Sequence, residues 1–191
     1  MSENKLREIF NEALANIQHA LKTELTVVVC GPGKPKDPEP DSPYLLRQAV
    51  RRSLIDEKDQ VFFFEELVAS EEGEKARKSL EEALKKPPRM DQIEILLLKG
   101  KMIDKDVHIV EGAGALTELT QFVADSDAFK KVYAFVNERY RNNNSYLDQS
   151  VYVQLNRAER LYWFKDESDL KSKVKDALKA NRISKSGIMP A

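Results

Sequence analysis

The sequence predicts one α/β domain built on a mainly parallel sheet of five strands, with helices on both faces. Short apolar runs alternate along the chain with longer segments in which apolar residues recur at helical spacing. The runs at 25–30 and 60–64 are rich in valine and phenylalanine, which is typical of parallel strands that are buried on both faces. A chain of 191 residues is long enough for one domain with a substantial core.

Strands and helices are expected to alternate over most of the chain. The strands are expected at 25–30, 60–64, 106–110, 131–136 and 160–164. The helices are expected at 3–23, 43–55, 70–86, 90–102, 115–125 and 168–180. We also expect a short edge strand at 151–155. This alternation predicts a flavodoxin-like (Rossmann-like) arrangement with right-handed connections between the strands.

The domain organisation is expected to be simple. We predict an N-terminal helix over 1–24, a single α/β domain over 25–182 and a loosely ordered tail over 183–191. The stretch 34–43 is rich in proline and aspartate and directly follows a strand, so we interpret it as an active-site loop and not as a linker. A second polar loop is expected at 137–144.

The composition favours a soluble, cytoplasmic protein. Charged residues make up 33% of the chain and hydrophobic residues 41%, which suits a globular domain with a charged surface. The net charge of −1 provides no overall basic field, so we expect no direct binding to nucleic acid. The charged N-terminus lacks the apolar run of a signal peptide, and we expect no membrane association. Cys30 is the single cysteine and is expected to be a buried core thiol.

Polar residues and glycines follow the ends of the predicted strands. In open parallel sheets, ligands bind at the carboxyl ends of the strands. The residues found there after the first three strands are Gly31, Gly33, Glu65, Glu66, Gly112, Gly114 and Glu118. The fourth strand is followed by Arg139, Tyr140, Arg141 and Tyr146. Each loop therefore offers either backbone that a ligand can approach closely or a charged side chain.

The segment 112–118 is the most specific of these features. Gly112 and Gly114 lack the Cβ atoms that would keep a ligand away, and free backbone N–H groups at a helix start favour negative charge. Glu118 is expected in the first helical turn, where the helix dipole helps to keep its carboxylate ionised. Such a carboxylate can attack an anomeric carbon or stabilise an oxocarbenium-like transition state. The alternative is a glutamate that the dipole alone favours.

Three segments together resemble the nucleoside 2-deoxyribosyltransferase-like superfamily. They read VVVCGP (27–32), DVHIVEGAGALTELTQFV (106–123) and KKVYAFV (130–136). That superfamily includes TIR-like nucleotide glycosidases of bacterial anti-phage systems, among them retron-associated effectors. The resemblance covers about residues 25–165. It implies that Asp106 opens a strand and that Glu118, four residues after a glycine, is the catalytic carboxylate.

A neighbouring pattern is the motif PGGxGTxxE of LOG-type phosphoribohydrolases. It aligns with VEGAGALTE at 110–118, where both glycines and the final glutamate match. The departures at Val110, Glu111 and Ala115 argue against that activity in its usual form.

Several other residues are candidates for binding a nucleoside. Gly31 and Gly33 would let backbone amides reach ribose or phosphate, the alternative being a turn that the chain needs on leaving a strand. Tyr44 and Arg47 would contact base and phosphate, although Arg47 equally fits a surface residue. Tyr146 offers a flat face for stacking on a base, or a packing anchor in a polar loop.

Carboxylates besides Glu118 have two interpretations each. Glu65 would orient a ribose hydroxyl, and Glu66 is the candidate for a second catalytic carboxylate, the alternative being a solvated charge pair at a helix entry. Asp106 would accept hydrogen bonds from a sugar, or cap the loop before its strand. Both histidines are isolated in the sequence, so no metal site is predicted.

The function expected from these observations is an N-glycosidase acting on a nucleoside, a nucleotide or an NAD-like dinucleotide. Hydrolysis is favoured over transfer because the resemblance is nearer to the defence effectors. No cofactor is expected, and NAD or a nucleotide would enter only as substrate. The resemblance also implies a homo-oligomer or a component of a defence complex. The alternative function is a nucleotide-sensing or partner-binding module of the same fold without catalysis.

Overall fold

A computed structural model describes residues 3–36, 42–141 and 146–187, and its core is a sheet of five parallel strands. The strands are β1 (Thr26–Cys30), β2 (Gln60–Phe63), β3 (Lys105–Val110), β4 (Val132–Asn137) and β5 (Leu161–Phe164). Their order across the sheet is β2-β1-β3-β4-β5, and all neighbouring pairs run parallel. The predicted α/β class and its five-stranded parallel sheet are therefore confirmed.

Helices connect the strands and cover both faces of the sheet. They are α1 (Glu3–Ala20), α2 (Tyr44–Asp56), α3 (Phe64–Val68), α4 (Glu71–Leu84), α5 (Met90–Lys99), α6 (Ala113–Ala124), α7 (Ser126–Phe129), α8 (Tyr146–Arg157) and α9 (Glu167–Lys185). A short 3₁₀ turn, Glu138–Tyr140, lies in the predicted polar loop, of which 142–144 fall outside the described residues. The same holds for 37–41 of the loop predicted after β1.

The prediction of an edge strand at 151–155 is wrong, because these residues lie within α8. Val151 and Leu155 are buried, whereas Val153 is 46% exposed. Apolar residues at every second position fit a strand, but residues four apart also share one face of a helix, and burial follows that spacing here. At the other end, α9 continues to Lys185, beyond its predicted end at 180 and into the tail expected to be loose.

Successive side chains of β3 point to opposite faces of the sheet and so belong to two different layers of the core. Val107 and Ile109 pack with the apolar residues of α2 and α9 on one face of the sheet. His108 faces α6 on the other side, where its ring meets Phe122 edge-on at 5.7 Å between centroids. Asp106 shares the face of His108, because residues two apart in a strand point the same way. The central strand thus carries two polar side chains into the core.

The described side chains of the N-terminal helix α1 are buried only at its C-terminal end. Ala20 is fully buried, whereas Leu14 and Ile17 are 44% and 45% exposed. The helix packs against α9, at the periphery of the domain. Among the residues that the structure describes, no helix has both the length and the apolar character required to cross a membrane.

A buried ion pair fastens α9 to the start of two strands. Arg182 and Asp59 are 4% and 6% exposed, and both terminal nitrogens of Arg182 donate to the carboxylate of Asp59. Arg182 also donates to the carbonyl oxygen of Thr23 at 3.0 Å, and Asp59 accepts the backbone N–H of Leu25 at 3.0 Å. The pair therefore links the last helix to the entries of β1 and β2.

Removing one partner of this pair leaves a buried charge without compensation. We expect Arg182→Met to lower the free energy of unfolding by about 3–5 kcal/mol. Lys179→Met on the same helix removes an exposed ion pair with Asp176 and should change it by less than about 1 kcal/mol. Urea titration of both variants measures the difference, and equal effects would show that burial of the pair contributes nothing.

Candidate active site at the carboxyl edge of the sheet

His108 connects the interior of the sheet to the candidate catalytic carboxylate. Its side chain is fully buried, and Nε2 lies 2.8 Å from the carbonyl oxygen of Ala115 and 3.8 Å from Oε2 of Glu118. On the other side of the ring, Nδ1 lies 3.4 Å from Oδ2 of Asp106. Asp106, His108 and Glu118 therefore form a row of polar side chains. Asp106 is buried at one end, and Glu118 at the other end keeps 28% of its side chain exposed.

The position of Glu118 in its helix differs from the expectation. α6 begins at Ala113, so Glu118 lies in the second turn and not in the first. Burial raises the pKa of Glu118, and the charges of Asp106 and Glu65 raise it further, against the opposing effect of His108. The expected stabilisation of the ionised form by the helix dipole is therefore weak, because the dipole falls off beyond the first turn, and burial shifts the pKa in the opposite direction.

A second carboxyl group of this cluster escaped the sequence analysis. Burial raises the pKa of Glu94, on α5, to about 7, and the charges of Glu118, Glu65 and Asp106 add to this effect. Glu94 lies in the middle of a helix, away from any strand end, so no pattern in the sequence singled it out. Glu94 is therefore near enough to three site residues for their charges to act on its carboxyl group.

Arg47 is buried under the loop that follows β1 and forms hydrogen bonds with its backbone. It is 2% exposed, so the alternative of a plain surface residue is wrong. Its guanidinium donates to both carboxylate oxygens of Glu65 at 2.9 Å and to the carbonyl oxygens of Val29, Gly31 and Pro32 at 3.1–3.4 Å. Burial raises the pKa of Glu65, but the hydrogen bonds and charge of Arg47 together with a backbone hydrogen bond lower it by more, so the net shift is downward. Glu65 thus stays ionised beside the cluster.

Two other candidates are occupied by local contacts. Oε2 of Glu66 accepts the backbone N–H of Phe63 at 3.0 Å and caps α3, while Oε1 accepts from Arg51 at 2.6 Å. Tyr44 is 9% exposed, and its hydroxyl oxygen accepts from Gln48 at 2.6 Å. These contacts do not join either residue to Glu118. Tyr146 begins α8, but its side chain lies outside the part of the chain that the structure describes.

Of the four glycines predicted to lie at the site, one is closely packed against neighbouring backbone and three have open space around them. Gly31 has φ +137°, and a Cβ atom there would lie 2.7 Å from the carbonyl oxygen of Ile109. Gly33, Gly112 and Gly114 have no atom of the described residues within 4 Å of such a Cβ position. Gly31 is therefore needed for close packing of its loop on β3, whereas the other three leave accessible backbone around the site.

Glu111 forms a further cluster that the sequence analysis treated only as a departure from a motif. Its side chain is 3% exposed and accepts hydrogen bonds from Asn137 at 2.7 Å and from Arg139. Arg139 in turn lies 4.8 Å from the ring centroid of Tyr140. This cluster joins the ends of β3 and β4 beside the glycines of the β3–α6 loop.

This geometry defines an α/β protein with an acidic, partly buried site at the carboxyl edge of its sheet. Residues 45–188 match the model of the STM3845 retron effector protein family, and the chain belongs to this family. The matched region includes Arg47, Asp106, His108 and Glu118. The predicted retron-type effector of anti-phage defence is thereby confirmed. A search of curated proteins finds no match.

Gly31 allows a direct test of how closely its loop packs. We expect Gly31→Ala to lower the free energy of unfolding by about 1–3 kcal/mol, since alanine disfavours this backbone angle and its Cβ meets Ile109. Gly33→Ala adds the same methyl group in open space, and its effect should stay within about 0.5 kcal/mol. Urea titration compares the two, and equal stability would contradict the packing described for Gly31.

Proposed function

We propose that this retron effector is an N-glycosidase that cleaves the base–ribose bond of a nucleoside, a nucleotide or an NAD-like dinucleotide. The observation that carries the proposal is the placement of Glu118. Its carboxyl group is partly exposed at the carboxyl edge of a parallel sheet, next to open glycine backbone and in contact with the buried His108. Ligands of open parallel sheets bind at this edge.

The charge around Glu118 supports cleavage through a cationic transition state. Asp106 and Glu65 lie close enough for their charges to act on Glu118. Positive charge develops on the anomeric carbon and ring oxygen as a base leaves a ribose, and fixed negative charge stabilises it. Burial and these carboxylates raise the pKa of Glu118 in the free protein, and the same negative charge is complementary to an oxocarbenium-like sugar.

Glu118 would act on the anomeric carbon itself. As a nucleophile, one carboxylate oxygen forms a bond to this carbon while the carbon–nitrogen bond breaks and its electron pair leaves with the base. Water then hydrolyses the glycosyl ester, which returns free Glu118 and ribose. As a stabiliser, the same carboxylate would balance the charge of the sugar while water attacks directly.

Glu94 is suited to protonate the departing base. A nitrogen anion is a poor leaving group, and a carboxylic acid with a pKa near the working pH is an effective proton donor. The raised pKa of Glu94, about 7, keeps a substantial fraction of its carboxyl group protonated at neutral pH. Glu94 takes this role in place of Glu66, whose carboxylate caps α3 with one oxygen and accepts from Arg51 with the other.

Replacing Glu118 by glutamine tests the proposal directly. Wild type is expected to release a nucleobase from at least one member of a panel of NAD, purine and pyrimidine nucleosides and nucleotides, measured by chromatography. Glu118→Gln should lower this rate by at least about 100-fold, because the amide neither attacks nor carries charge. Glu82→Gln makes the same change on the exposed face of α4 and should leave the rate unchanged.

Two outcomes would contradict this assignment. Equal base release by wild type and Glu118→Gln would remove Glu118 from the reaction. Tight binding of a panel member by both proteins, without release by either, would favour a nucleotide-sensing module. Circular dichroism and the unfolding midpoint of each variant exclude loss of fold as the cause.

The proton donor predicts the pH dependence of the reaction. The carboxyl group of Glu94 loses its proton as pH rises through about 7, so the rate of wild type should fall with increasing pH over that range. Glu94→Gln removes the titrating group and should give a slower reaction without this decline, whereas Glu82→Gln should retain it. A decline that persists in Glu94→Gln would assign the pH dependence to another residue.

A further inference from the structure

The buried cluster beneath Glu118 contains a set of metal-ligating side chains. Cys30 on β1 is paired in register with His108 on β3, and Asp106 lies two residues before His108 on the same face. One ligand atom from each of the three side chains lies within 4.8 Å of the other two. All three residues are buried, with 0–1% exposure. Sulfur, nitrogen and carboxylate oxygen therefore converge in one place within the core.

Several atoms of this cluster have no hydrogen-bond partner within the described part of the chain. They are both carboxylate oxygens of Asp106 and Nδ1 of His108. A buried polar atom without a partner destabilises the fold, and a charged group does so more strongly. Asp106 is not linked to any backbone N–H that would offset this cost. The cluster thus contains unsatisfied acceptors where proteins normally satisfy every polar group.

The hydrogen bond of His108 to Ala115 determines which ring nitrogen of His108 carries a proton. A carbonyl oxygen only accepts, so Nε2 of His108 must carry the proton that lies between them. In a neutral imidazole, Nδ1 then presents a lone pair, 3.4 Å from an oxygen of Asp106 that also presents lone pairs. Two acceptors repel at this distance unless a cation lies between them.

We propose that Cys30, Asp106 and His108 bind a divalent transition-metal ion, and that Zn²⁺ is the ion that fits best. Zinc accepts thiolate, imidazole and carboxylate ligands in four-coordinate sites. Bond lengths of about 2.0–2.2 Å to nitrogen and oxygen give tetrahedral ligands about 3.3–3.6 Å apart. The separation of Nδ1 and Oδ2, 3.4 Å, matches this value. Sulfur, nitrogen and a carboxylate oxygen would supply three of the four ligands, and the second oxygen of Asp106 is also without a hydrogen-bond partner in the described part of the chain.

The surroundings of the cluster agree with a metal site in two respects. Histidines that bind zinc usually donate their other ring N–H to a carbonyl or carboxylate oxygen, as Nε2 does here to Ala115. The charges of one thiolate and one carboxylate also cancel those of a divalent ion, which the low polarity of a core requires. The buried ion would not touch substrate and would instead fix the ring of His108 beneath Glu118.

A competing arrangement has a proton in place of the metal. Burial lowers the pKa of His108, but Asp106 and Glu118 raise it by more, so a second proton on Nδ1 would also give a neutral cluster. In that case Cys30 stays a thiol, whose pKa is raised by burial. The two arrangements differ in metal content and in the state of the sulfur atom, and both can be measured.

The test is the metal content of the full-length chain. Wild type is incubated with zinc sulfate, passed through gel filtration and analysed by elemental mass spectrometry. It is expected to retain about one zinc ion per chain. Cys30→Ala and Asp106→Asn should each lower the retained zinc at least about tenfold. His19→Gln replaces the other histidine, which is exposed, and should keep the zinc of wild type.

Cobalt provides a second measurement that identifies the sulfur ligand. Wild type loaded with Co²⁺ should show a thiolate-to-cobalt charge-transfer band, which Cys30→Ala should lack and His19→Gln should keep. Wild type without zinc or without this band would overturn the proposal and favour the protonated histidine. Zinc retained equally by Cys30→Ala would also overturn it. The wild-type spectrum decides even if a variant fails to fold, and neither result depends on base release.

Discussion

The hydrogen bond between His108 and the carbonyl oxygen of Ala115 joins the central strand to the helix that carries Glu118. It is short, 2.8 Å, and lies in the core, where the absence of competing water makes such a bond strong. β3 supplies the donor from the middle of the sheet, and α6 supplies the acceptor from its first turn. The position of Glu118 relative to the strands therefore depends on the state of a histidine that solvent does not reach.

The buried guanidinium of Arg47 is paired with Glu65 and not with Glu118. Arg47 is the principal cation near the cluster, but its guanidinium is directed to Glu65 and to three carbonyl oxygens of the β1–α2 loop. It therefore holds the loop in place, and no lysine or arginine of the described residues forms an ion pair with Glu118 or Glu94. Burial is the main cause of the raised pKa values of Glu118 and Glu94, and the neighbouring carboxylates raise them further, which gives the carboxyl edge its acid–base character.

The sequence was sufficient for the sheet but only partly sufficient for the site. Continuous apolar runs identify parallel strands because both faces are buried, and glycines after strands mark the edge where ligands bind. The segment 151–155 was misassigned because apolar residues four apart satisfy both periods. His108 and Glu94 were missed for a different reason: their significance lies in contacts between α5, α6 and β3, and no local spacing encodes those contacts.

The order of the strands has a consequence for synthesis of the protein. β1 lies between β2 and β3, and the backbone N–H of Thr26 is bonded to the carboxylate of Asp104, 78 residues later in the chain. Contacts of such high sequence separation form late, because the ends of a long segment must be brought together first. On the ribosome, Cys30 and Arg47 emerge long before α6 can supply Glu118. A nascent or prematurely terminated chain that ends before α6 therefore lacks the assembled candidate site, even though the first strand and Arg47 are already present.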